Sequence, residues 1–140
     1  MRLVFCLLLL IFCSCKPQSS VVDDSRLVQL FCDMYYPNNT GQQVIIRDSK
    51  TLSSYFAQIN KSRKPGLPVP KIDFNDEVVI LVSSGLVNSS GIPKVSIKNE
   101  TDTTIGLMLE FSPDNQKLKG SFTPFCLYKL KSTNKEIAFH

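Results

Sequence analysis

From Leu27 onward the chain alternates short apolar runs with turn-forming residues. Val28, Leu30, Cys32 and Met34 alternate with Gln29, Phe31 and Asp33, the period of two expected of a strand. Pro37 to Gly41 reads PNNTG, a turn, and Val44, Ile45 and Ile46 form a second short strand that stops at Arg47 and Asp48. Asp48 or Ser49 can cap a helix whose apolar positions Leu52, Tyr55, Phe56 and Ile59 share one buried stripe. It is the only long helix the pattern predicts. Asn60 to Lys71, NKSRKPGLPVPK, holds three prolines and a glycine within twelve residues, a density that only a loop tolerates.

Glu77 to Val82, EVVILV, is an uninterrupted run dominated by β-branched residues, as expected of a central strand covered on both faces. Ser83 to Gly91 reads as a turn. Val95 and Ile97 then alternate with Lys94, Ser96 and Lys98 in a half-exposed strand. A hairpin turn over Asn99 to Thr103 precedes the clear alternation of Ile105, Leu107, Leu109 and Phe111. Pro113 to Gly120 reads as a polar loop, Ser121 to Lys131 as another strand, and Ile137 to Phe139 as a last strand after a turn at Thr133 and Asn134. Many strands with closely spaced turns and one helix predict an α+β fold, a mainly antiparallel sheet with the helix packed on one face. A single domain over residues 27–140 is expected, preceded by a polar tether over 15–26.

The first 14 residues depart from this pattern. Arg2 is followed by ten apolar residues, Leu3 to Phe12, and then by Cys13, Ser14 and Cys15. A run of that length is half of the roughly 20 residues that cross a bilayer, and it reads as a secretory signal peptide. Ser14 is small and stands directly before Cys15, whereas the bulky Phe12 precedes Cys13. The segment resembles a bacterial lipoprotein signal, in which the cysteine after the cut is acylated and becomes the first mature residue. Cys15 is the expected lipidation site, and acyl chains at about 0.8 kcal/mol per buried methylene would tether the chain to a membrane of the bacterial cell envelope.

Composition narrows the chemistry. Net charge is +4, its 16 basic side chains scattered among 12 acidic ones, which is not the basic stripe of a nucleic-acid binder. Removing residues 1–14 leaves 126 residues and a net charge of +3. Of the five cysteines, Cys32 and Cys126 then remain as thiols. In an exported protein such a pair invites a disulfide, while both also suit small buried apolar positions. The lone histidine is His140, the last residue, so histidine-based triads and multi-histidine metal sites have no raw material. Ser62 beside Lys61 could form a nucleophile and base only if the lysine were buried, and a Pro-rich loop argues for solvation. Asp73, Asp76 and Glu77 are close in sequence, but strand alternation would send Asp76 and Glu77 to opposite sides. No enzymatic activity, metal or cofactor is expected.

From Val44 onward the order of elements resembles a known family. A short strand and a helix lead through a Pro-rich approach to IDFNDEVVILVSSG at Ile72 to Gly85. A Ser90-Gly91 turn, an alternating strand and a late Pro124-Phe125-x-x-Tyr128 strand follow. This arrangement, over about residues 44–132, is similar to the C-terminal domain of PrcB-type protease complex subunits, found in bacterial envelope lipoproteins. The resemblance implies a non-catalytic accessory subunit that helps to mature or stabilise a cell-surface protease. The residues that carry it, Asp73, Phe74, Gly85 and Gly91, have structural readings: a turn acceptor, a core plug and glycines at backbone turns.

The segment expected to contact a partner is the loop itself. Lys61, Arg63, Lys64 and Lys71 lie on a backbone that Pro65, Pro68 and Pro70 hold extended, and such a segment loses little entropy on docking. The sequence therefore points to an envelope lipoprotein acting as a binding module. The alternative is a stand-alone envelope domain that binds a small ligand or inhibits a protease.

Overall fold

The computed structural model describes residues 24–89, 91–111, 117–131 and 134–140. A single 3-10 turn, Asp24–Arg26, leads into β1 (Leu27–Asp33), and β2 (Thr40–Ile46) follows. Helix α1 (Ser49–Asn60) starts where the pattern places it. Asp48 is its N-cap: the backbone there is extended, and the carboxylate accepts the Thr51 amide at 2.8 Å, satisfying one of the orphan donors of the first turn. The remaining strands are β3 (Glu77–Gly85), β4 (Val87–Ser89), β5 (Pro93–Glu100), β6 (Thr104–Phe111), β7 (Lys117–Phe122), β8 (Phe125–Lys131) and β9 (Glu136–Phe139).

The strands form three sheets. One has the order β1-β8-β3-β2 with every pairing antiparallel, a second pairs β4 with β7, and a third has the order β5-β6-β9. The architecture is thus α+β and rich in antiparallel pairing. The exception is β9, which closes against β6 in parallel.

β3 explains why its sequence does not alternate. Val78, Ile80 and Val82 belong to one buried apolar cluster with Val95, Ile97, Ile105, Leu107 and Tyr128. Val79 and Leu81, pointing the other way, share a second cluster with Leu52, Phe56 and Ile59 of α1 and with Phe125 and Leu127 of β8. Fully burying each large apolar side chain contributes about 1.5–3 kcal/mol, so a strand buried on both faces must be apolar at every step. The Tyr128 hydroxyl reaches across to β5, where it donates to the Pro93 carbonyl at 3.1 Å. Burial pushes this phenol above its ordinary range.

Three segments differ from the pattern. The turn expected over Ser83 to Gly91 contains the end of β3 and all of β4. The loop expected over Pro113 to Gly120 gives way to β7 from Lys117, which pairs with β4. Its polar composition hid a two-stranded ladder held by backbone bonds. The strand expected over Ser121 to Lys131 is broken at Thr123 and Pro124. Thr123 donates its amide to Met34 and exchanges bonds with Tyr36, and Pro124 has no amide to give. Within β1 a register shift between Gln29 and Phe31 interrupts strict alternation, so that Leu30 and Phe31 pack against the same cluster and Val28 is 43% exposed.

Candidate functional site

The Pro-rich loop is tied down at both ends. The Asn60 side chain holds Leu67 by both backbone groups, donating to its carbonyl at 2.9 Å and accepting its amide at 2.7 Å. The Lys61 amide closes the last turn of α1 on the Gln58 carbonyl. Leu67, Ile72 and Phe74 then pack against the cluster that contains α1. Lys61, Lys64 and Lys71 are exposed, as is Ser62, so the Ser62 and Lys61 pair lies in solvent.

Arg63 is spent inside the fold. Its guanidinium grips the Asp33 carboxylate with two bonds, at 2.9 and 2.6 Å, and also donates to the Tyr35 carbonyl. That clamp holds the Asp33 carboxyl below its ordinary range against the opposing effect of burial. Of the four basic residues expected to face a partner, Arg63 instead ties the loop to the end of β1. Around it Tyr35, Tyr36, Pro37, Ile59 and Ser62 line a cleft of about 310 Å³. Tyr35 is 59% exposed, with its ring tilted against Phe122 at 6.0 Å between centroids. Tyr36 is buried, which pushes its phenol up to about 12 although the Gln42 amide donates to it.

The residues of the family motif take structural positions. Asp73 accepts the Asn75 amide at 3.1 Å through its side chain, and its carbonyl accepts the amides of Asp76 and Glu77, forming the turn into β3. Phe74 is half-buried against the α1 cluster. Gly85 ends β3 with φ of +74°, and a side chain there would lie 2.6 Å from the Gly41 nitrogen. Gly91 is half-buried just before β5, and Ser90 lies outside the described residues.

Asp76 and Glu77 do not face opposite ways. Asp76 belongs to the turn and not to β3, so strand alternation does not apply, and both residues line one cleft of about 440 Å³ with Asp73, Ser25, Arg26, Val28, Lys129 and Lys131. Three of its six charged lining residues, Arg26, Glu77 and Lys129, are paired within the fold. Lys129 donates to Glu77 at 2.6 Å, and Arg26 binds Glu100, which also receives Lys135. Those two cations draw the Glu100 carboxyl down to about 2. Among the described residues no group of His, Cys, Asp and Glu is arranged to hold a metal ion.

Cys32 and Cys126 are opposite one another on β1 and β8, with their α-carbons 4.1 Å apart and their sulfurs joined as a disulfide. The sequence left this pairing open because only the β1-β8 register brings the two together. Cys15 and the signal segment lie outside the described residues. Comparisons with protein-family models, with curated proteins and with solved structures find no match to the chain.

Proposed function

We propose that this protein is a bacterial envelope lipoprotein, acylated on Cys15, that serves as a non-catalytic binding module and assists or stabilises a cell-surface protease. The observation that carries the reading is the Cys32–Cys126 disulfide. Such bonds persist in oxidising compartments, which agrees with export directed by Leu3 to Phe12. The bridge joins β1, the strand that follows the tether, to β8 inside the four-stranded sheet. In this reading α1 lies over one face of that sheet, supported by the cluster that Leu52, Phe56 and Ile59 share with Val79, Leu81, Phe125 and Leu127.

The protease partner rests on the resemblance of residues 44–132 to PrcB-type subunits. Labelled palmitate should enter the natural chain and not a Cys15→Ser variant, and equal labelling of the two would overturn the anchor. Affinity purification from membranes should recover a peptidase in amounts matching the bait, and a preparation without one would overturn the accessory role. The rival reading, a stand-alone domain that takes a small ligand, has the 440 Å³ cleft in its favour. It requires a ligand-dependent rise in Tm that substitutions lining that cleft abolish.

A further inference from the structure

We draw no further inference here: the strongest candidate, the 440 Å³ cleft where Asp73 and Asp76 of the turn into β3 lie beside Lys131 of β8, carries nothing beyond the small-ligand reading already given for it, because these three side chains are exposed and nothing in the structure shows what would occupy the cleft.

Discussion

Reducing the Cys32–Cys126 bridge should cost a large fraction of the stability of the fold, and the size of the loss follows from where the bridge lies. The two cysteines are 94 residues apart, so the bond closes almost the whole folded segment into one loop. In the chain-entropy treatment a loop of that length restricts the unfolded ensemble by about 4.7 kcal/mol, and native disulfides in small exported domains contribute roughly 2–5 kcal/mol. Comparing oxidised and reduced chain of identical sequence keeps both sulfurs in place, which matters because Cys126 is fully buried and a substitution would add a packing defect. Urea unfolding followed by far-UV circular dichroism should show the midpoint falling by roughly 1–3 M in reductant, given a slope of about 1–3 kcal/mol per M. Hydrogen exchange should also rise first in β1, an edge strand paired with β8 alone. A midpoint that stays put after mass spectrometry has confirmed both free thiols would refute the entropic reasoning. Recovery of Cys32 and Cys126 as separate thiols from protein isolated without reductant would refute the pairing.

Three further predictions follow from single sites. Glu100 is held down to about 2 by Arg26 and Lys135, so its contribution is fully present above its ordinary value of 4.5 and is lost as pH falls through about 2. After discounting for the partial exposure of these groups, Glu100→Gln should remove about 1 kcal/mol at neutral pH and flatten the acid limb of an unfolding-against-pH profile; an unchanged limb would count against the triad. Gly85→Ala should destabilise by about 2 kcal/mol in denaturant titration, combining a positive φ with a Cβ set 2.8 Å from the Asn39 carbonyl oxygen, and a neutral result would mean that the turn relaxes freely. Thr123→Val should cost about 1–3 kcal/mol in thermal unfolding, because the buried hydroxyl donates to the Tyr36 carbonyl at 2.7 Å and accepts its amide at 2.8 Å.

What was legible in the sequence is what short-range physics controls. The stripe Leu52, Phe56 and Ile59 fixed the helix and its buried side, and the all-apolar run of β3 announced a strand covered twice. The alternation of β5 and β6 also appeared in advance, although Phe111, at the end of its run, is half exposed. What was hidden depends on partners distant in the chain. β7 is polar in composition and exists as a strand because β4 is beside it. Arg63 looked like a surface cation in a loop, yet Asp33, 30 residues earlier, takes up its guanidinium. Asp76 and Glu77 were assigned to opposite sides by a periodicity that starts one residue too late to apply.

The loop around Arg63 shows how the two kinds of information combine. From Ser49 to Ile72 the chain contains no carboxylate and five basic residues, which by composition alone reads as a cationic surface. Subtracting Arg63 leaves four lysines, at 50, 61, 64 and 71, spread from one end of α1 to the far end of the loop. Charge spread in this way attracts weakly and without register, since surface interactions beyond about 8–10 Å are screened at physiological ionic strength.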